Sequence, residues 1–281
     1  MRKILVTGAN GQLGSELSVL SVFYPEFEWI FADRTKIALD DLELLKDQLN
    51  EIKPDIIFNC GAYTAVDKAE TERELAFTIN HLAVELIAKY TFKNSVKLIH
   101  ISTDYVFDGS SSSALNEEAE TNPINVYGES KLAGEIACLR ENPDSIIIRT
   151  SWVYSKFGNN FVKTMQRLMQ ERDTINVVND QIGSPTYAAD LAQAMVDIVR
   201  SSNWIPGIYN YSNEGEISWY EFALSIKELR GYNCNVSGIS SSSYPTPAKR
   251  PEFSLLDKKK IKEIYNVSVP DYKESLEKMF V

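Results

Sequence analysis

Three cysteines in 281 residues, Cys60, Cys138 and Cys234, are too few and too far apart to build a disulfide framework. They form no C-x-x-C pair, so a thiolate metal site is not expected either, and the reading is of free thiols in a reducing compartment. Long apolar runs are missing as well. Met1-Arg2-Lys3 is followed only by Ile4-Leu5-Val6 before Gly8, too short for a signal-peptide core, and no stretch is long enough to cross a bilayer. The expectation is a cytoplasmic protein with no membrane partner. Basic residues fall short of acidic ones, 29 Lys and Arg against 39 Asp and Glu, for a net charge of −10. Such a surface repels phosphate backbones and anionic lipid head groups, so no nucleic acid is expected as a partner. A small anion remains admissible, because a pocket rich in N–H groups can sit in an acidic protein. No fixed-period repeat is present.

What is present is an ordinary globular composition, 44% apolar and 24% charged, long enough for one large domain or two coupled lobes. Lys3 to Thr7, Trp29 to Ala32, Asp55 to Cys60, Val96 to Ser102 and Ser145 to Val153 read as strands, each a nearly continuous apolar run. Between them Gln12 to Leu20, Leu42 to Ile52, Glu70 to Tyr90 and Asn125 to Arg140 read as helices. Strands alternating with helices predict an α/β fold, a Rossmann-like doubly wound parallel sheet covered on both faces. After residue 150 the alternation weakens and aromatics and prolines crowd the loops. A smaller, interleaved C-terminal α/β substrate lobe is expected there, from 151–185 and 213–281. The dinucleotide-binding domain then spans 1–150 and is completed by about 186–212. The serine runs at 110–113 and 240–243 read as solvated loops.

Gly8-Ala9-Asn10-Gly11-Gln12-Leu13-Gly14 follows the first strand and opens a helix. Glycine permits the tight turn, lets the backbone approach a pyrophosphate, and allows the helix to pack closely on the sheet, while the helix N-terminus favours the anion. Three glycines alone could mark an ordinary turn; the strand–turn–helix context is what points to a dinucleotide. The second strand ends at Asp33-Arg34. Asp33 stands where a carboxylate would accept from an adenosine ribose hydroxyl, favouring NADH, and Arg34 where a guanidinium would meet the 2′-phosphate of NADPH. The lean is to NADPH with NADH as the alternative; a solvated loop charge is the plain reading of either residue.

Tyr127 and Lys131 share one helical face at i, i+4. A free phenol titrates near pH ~10, and an ammonium beside it is expected to lower that value, equipping Tyr127 to give a proton to a carbonyl oxygen as hydride reaches the carbon. Lys131 is also placed to donate to the cofactor ribose. The fourth strand runs into Ser102-Thr103-Asp104, and ligands in open α/β sheets lie beyond the carboxyl ends of the strands. Thr103 is the candidate to bond the substrate carbonyl and the Tyr127 hydroxyl, with Ser102 next in line or merely capping backbone. Asp104 would bind sugar hydroxyls or cap its loop.

Together the Gly8–Gly14 loop, Thr103, Tyr127 and Lys131 resemble the extended short-chain dehydrogenase/reductases. The finer motifs carry the likeness along nearly the whole chain. They include Asn59 to Glu70, Ser102 to Gly109, Asn125 to Glu135, Arg149 to Tyr154, Gly158 to Phe161, Asp180 to Thr186, Ile217 to Phe222 and Arg250-Pro251. The resemblance implies reduction of the C4 ketone of dTDP-4-dehydro-L-rhamnose, a small-molecule nucleotide sugar, in cell-surface polysaccharide synthesis. It implies that Asn10, Gly11 and Gln12 hold the cofactor phosphates, that Asp40 and Asp41 lie near its adenosine, and that Ala62, Tyr63 and Thr64 line its path. Thr103, Asp104 and Trp152 would contact substrate, Trp152 with an aromatic plane suited to a deoxysugar's apolar face; without the resemblance it reads equally well as a core residue. Cys60-Gly61 stands where the family more often has two alanines, and past Ser237 the match loosens, leaving Arg250 either a nucleotide contact or a surface charge. A second copy of the chain, as a homodimer, is admitted as a partner. The competing readings are another nucleotide-sugar reductase or an epimerase on the same cofactor lobe, or a non-catalytic regulatory subunit. The intact Tyr127/Lys131 pair and glycine loop argue against the last.

Overall fold

The apolar runs become five successive parallel strands, β1 (Arg2–Thr7), β2 (Phe27–Ala32), β3 (Ile56–Asn59), β4 (Lys97–Thr103) and β5 (Ile146–Thr150), in a computed structural model that describes residues 1–281. Helices α1 (Gln12–Ser21), α2 (Leu42–Ile52), α3 (Val66–Ala69), α4 (Arg73–Phe77), α5 (Ala83–Lys93) and α6 (Val126–Glu141) connect them. The second half adds β6 (Val153–Tyr154), α7 (Phe161–Glu171), β7 (Thr174–Val178), β8 (Ile182–Gly183), β9 (Thr186–Tyr187), α8 (Ala188–Arg200), β10 (Gly207–Asn210), β11 (Ile217–Ser218), α9 (Trp219–Arg230), β12 (Asn235–Ile239), α10 (Lys259–Tyr265) and α11 (Tyr272–Phe280). The main sheet has the order β10-β5-β4-β3-β1-β2, all pairs parallel. Strand order therefore reverses between β1 and β3, which opens a crevice at their carboxyl ends.

Both sheet faces are buried, as parallel strands require. On one face Ile4, Val6, Ile56, Phe58, Ile99, Ile146 and Ile148 pack against Leu13 and Leu17 of α1 and against Leu191, Met195 and Val199 of α8. On the other, Leu5, Ile57, Leu98 and Ile147 meet Leu45 and Leu49 of α2, Val84 and Ile87 of α5, and Cys138 of α6. Each such side chain stabilises by about 1.5–3 kcal/mol when fully removed from water. A separate cluster, with Tyr154, Val162, Met165, Ile217, Phe222 and Leu276 in it, forms the core of the second lobe, whereas α10, expected there, packs Ile261 and Tyr265 into the main-sheet core. Cys60, Cys138 and Cys234 are all free. No helix is long and apolar enough to cross a membrane.

Two elements differ from the sequence reading. Glu70 to Tyr90 is not one helix: α4 and α5 are joined by a π-helical stretch, Thr78–Leu82. The widened turn carries Asn80, which accepts from Tyr63 N (2.9 Å) and donates to Tyr63 O (3.0 Å) and Ser130 Oγ (3.0 Å). α6 presses against the same place, since a Cβ on Gly134 would collide with the Asn80 carbonyl oxygen. The strand expected over Ser145 to Val153 ends at Thr150. Trp152 takes φ +49°, which turns the chain, and Val153–Tyr154 then pairs with β9 outside the main sheet.

Candidate active site

The phosphate loop is built by contact as much as by sequence. Gly8 has φ +66°, and a Cβ on it would lie 2.7 Å from Gly61 Cα, so the loop and the Cys60-Gly61 segment after β3 approach backbone to backbone. At Gly14 a Cβ would sit 2.7 Å from Ala9 Cα. Gly11 differs: its φ is −79°, ordinary extended backbone, so it is needed for space and not for a left-handed conformation. It N-caps α1 with no side-chain hydrogen bond, whereas α2, α6, α7 and α9 all have capping side chains. The first-turn N–H groups of α1 are thus left for an anion. This cradle fits a dinucleotide pyrophosphate.

Above the loop lies a cleft of about 820 Å³. Gly8, Asn10, Gly11, Gln12, Leu13, Gly14, Asp33, Arg34, Asp40, Ala62, Thr64, Ser102, Thr103, Asp104, Tyr127, Lys131 and Trp152 all line it. Asp41 and Tyr63 do not. Asp41 is the exposed N-cap of α2 and accepts from Leu44 N (3.1 Å), and Tyr63 is buried with its hydroxyl donating to Glu72 (2.6 Å). Gln12 faces the cleft, but its side chain bridges the lobes: Nε2 donates to Val153 O (3.2 Å) and Oε1 accepts from Asn160 (2.9 Å). Asp33 Oδ1 accepts from Thr35 N (3.0 Å) and Thr35 Oγ1 (2.7 Å), which holds its carboxyl below the usual value. The exposed Arg34 makes no ion pair and is free for an incoming phosphate. Arg250 lies outside the cleft lining, forked onto Asp67 at 3.0 and 2.8 Å.

Asn125 starts α6 by accepting from Gly128 N (2.8 Å), which sets Tyr127 and Lys131 in its first turns against β4. The expected lowering of the Tyr127 phenol by Lys131 is not what the geometry gives. Lys131 Nζ donates to Ile101 O (2.6 Å), and burial pushes Tyr127 up to about 12, partly offset by the adjacent Thr103 hydroxyl. Burial likewise brings Lys131 down to about 8, with Glu135 one turn on opposing the shift. At neutral pH the phenol therefore holds its proton and the amine is mostly charged. Glu135 is in turn gripped by Arg149, Nη2 to Oε2 2.7 Å, with both side chains at most 3% exposed. Removing one member of such a buried pair costs about 3–5 kcal/mol. Thr103 donates to Asp104 Oδ1 (3.1 Å). Asp104 is 2% exposed, and Oδ2 has no partner in hydrogen-bonding geometry although the Ser254 hydroxyl lies alongside. Burial raises this carboxyl to about 6.

Several cleft residues were not singled out in the sequence. Ile37, Leu39 and Ile79 are apolar and carry no chemical signature, and they reach the cleft only through packing. Trp219 lies 67 positions after Trp152, yet their rings stack with centroids 3.7 Å apart. In the sequence it stood within the Ile217–Phe222 motif without a role of its own, and its position after Ser218, in a capping box with Glu221, marks where it begins a helix.

The chain matches the family described as RmlD substrate binding domain over residues 1–281. A dTDP-4-dehydrorhamnose reductase of Sinorhizobium fredii is 41% identical over 286 residues, covering 99% of this chain and 96% of its own. One from Aggregatibacter actinomycetemcomitans is 38% identical over 287 residues, covering 98% and 97%. Among solved structures, a dTDP-4-dehydrorhamnose reductase from Bacillus anthracis in complex with NADP superposes with a TM-score of 0.94 at 39% identity, covering 100% of this chain and 99% of that one.

Proposed function

This chain belongs to the RmlD substrate binding domain family, and from that footing we propose that it is an NADPH-dependent reductase of the C4 ketone of dTDP-4-dehydro-L-rhamnose. The carrying observation is that the glycine cradle, Thr103, Tyr127 and Lys131 face one cleft, with the phenol protonated at neutral pH. The curated relatives named for this reduction, and the NADP bound to the Bacillus anthracis protein, support the same reading. When bound, the nicotinamide supplies the hydride.

The chain's own residues do the rest. The uncapped first turn of α1, with Asn10 and Gly11, receives the pyrophosphate, and Arg34 the 2′-phosphate. Thr103 turns its one hydroxyl proton from Asp104 to the substrate carbonyl, orienting it beside the Tyr127 hydroxyl, and Tyr127 gives its proton to the carbonyl oxygen as negative charge develops there. Burial, which would hinder a general base, suits a residue that must begin the reduction protonated. Lys131, charged and anchored on Ile101 O, has two further N–H donors for the cofactor ribose and for the phenolate left behind. Asp104, with one unpartnered oxygen in a dry wall, holds a sugar hydroxyl.

The test is oxidation of NADPH by the purified chain with dTDP-4-dehydro-L-rhamnose, beside GDP-linked keto-sugars. Turnover is expected with the dTDP sugar alone, and cofactor consumption separates a reductase from an epimerase, which shows no net use. Tyr127→Phe should lower kcat by at least ~10²-fold, the scale of a lost general acid, with NADPH affinity little changed. A Phe variant within a few-fold of the parent would remove Tyr127 from the mechanism.

A further inference from the structure

Trp219 begins α9, its place fixed by the reciprocal bonds of Ser218 and Glu221 (3.1 Å from Glu221 N to Ser218 Oγ, 2.7 Å from Ser218 N to Glu221 Oε2). Its indole lies flat on Trp152, 3.7 Å between centroids and 12° between planes, and Phe161 leans on it at 4.5 Å and 47°. Trp152 and Phe161 both pack on Trp219, and both indoles line the cleft. Gly183 backs Trp152 so closely that a Cβ there would come within 3.1 Å of Cε2 and Cζ2. The backbone of Trp152 sits at φ +49°, a conformation that a bulky residue holds only where its surroundings enforce it.

The indole N–H groups divide the chain's four tryptophans in two. Away from the cleft, Trp29 donates to Tyr24 O (3.2 Å) and Trp204 to Asp144 O (2.7 Å). Trp152 and Trp219, half-buried in the cleft wall, donate to no protein acceptor. An indole N–H finds a partner when it is buried. Held in a stack on the wall of the cleft that Thr103 and Asp104 also line, these two have donors left for oxygens that arrive with a ligand.

We infer that Trp219 is a specificity-determining residue for the sugar: it clamps the Trp152 plane and offers its own edge N–H to a sugar oxygen. The inference rests on the nucleotide-sugar reading above, of which it specifies the sugar end. The readout is binding to the full-length chain saturated with NADP⁺, by calorimetry, using dTDP and dTDP-L-rhamnose as probes. The sugar's share of affinity is the ratio of the two dissociation constants.

Trp219→Ala should reduce that ratio about tenfold, because the edge contact and the clamp go together, while the dissociation constants for dTDP and NADP⁺ stay within about twofold. Trp219→Phe keeps a ring in the stack but has no N–H, so its ratio should fall between the other two; this variant carries the test should the alanine variant fail to fold. The inference is overturned if the ratio is unchanged in Trp219→Ala, or if dTDP binding weakens as much as dTDP-L-rhamnose binding, which would mark a purely structural tryptophan. A Phe ratio equal to the parent's overturns the N–H contact. If the parent chain itself does not prefer dTDP-L-rhamnose over dTDP, it is the underlying functional reading that fails.

Discussion

Asp104 carries the most consequential single carboxyl in the cleft. Folding raises it from an ordinary 3.8 to about 6, so between those pH values the folded chain keeps a proton that the unfolded chain has lost. Stability must then fall as pH rises through that window, by on the order of 1–3 kcal/mol, and the cost persists above pH 6. Asp104→Asn removes the charge and keeps the shape. It should raise Tm at pH 8 by about 2–6 °C and by much less at pH 4, followed by circular dichroism; an equal shift at both pH values would show that burial of charge is not the cause. At the adenosine end, Arg34→Ala should move the NADPH/NADH ratio of kcat/KM toward NADH by about three- to tenfold, the range of a screened contact. An unchanged ratio would free Arg34 of any phosphate. The 127/131 spacing was legible in the sequence because it is local. The direction of the Tyr127 shift was not, because it depends on how tightly distant segments close around the ring, with Tyr105 edge-on at 5.7 Å. Asp41 and Tyr63 came from the resemblance alone, and local spacing could not show that the Asp41 side chain caps its own helix and the Tyr63 hydroxyl goes to Glu72.

At the scale of the element, the phosphate loop separates two kinds of glycine. Gly11→Val adds bulk where the pyrophosphate is to lie, at a φ that valine tolerates but with its Cβ 3.1 Å from Gly8 O, and should weaken NADPH binding strongly with a much smaller loss of Tm than at Gly14. Gly14→Val drives a branched side chain into Ala9 within the strand–helix joint and should depress folding itself. Calorimetry and thermal melts on the pair decide the matter; equal losses of Tm in both would deny the distinction. Helix α2 matched its sequence reading to the residue because its signals are at its ends, Asp41 before and Pro54 after. The break at Thr78–Leu82 was invisible. Apolar residues keep helical spacing through it, and the force that widens the turn comes from α6, about 50 positions later.

At the scale of the molecule, the doubly wound sheet could be foreseen from the alternation of runs, and the cleft from the glycine loop that opens it. The second lobe was legible only as a departure from that alternation, because two of its three strand pairs, β6·β9 and β8·β11, are two residues long and leave no periodic trace. Residues 1–150 expressed alone should not unfold cooperatively. β5 would lose β10 from its edge, and the face bearing Ile146 and Ile148 would lose Leu191, Met195 and Val199 of α8. Co-expression with 151–281 should restore a single sharp melt, and a stable, cooperative 1–150 fragment would contradict this. The return of β10 to the main sheet also bears on heredity. A single recombination crossover near 150 joins five of one relative's six sheet strands to a foreign edge strand, and exchange of the second lobe needs junctions near 150, 185 and 212 and again around α10, whose Ile261 and Tyr265 pack in the main-sheet core. In such a chain, new sugar preferences are more accessible by point substitution along the seam, at positions such as 152 and 219, than by trading modules.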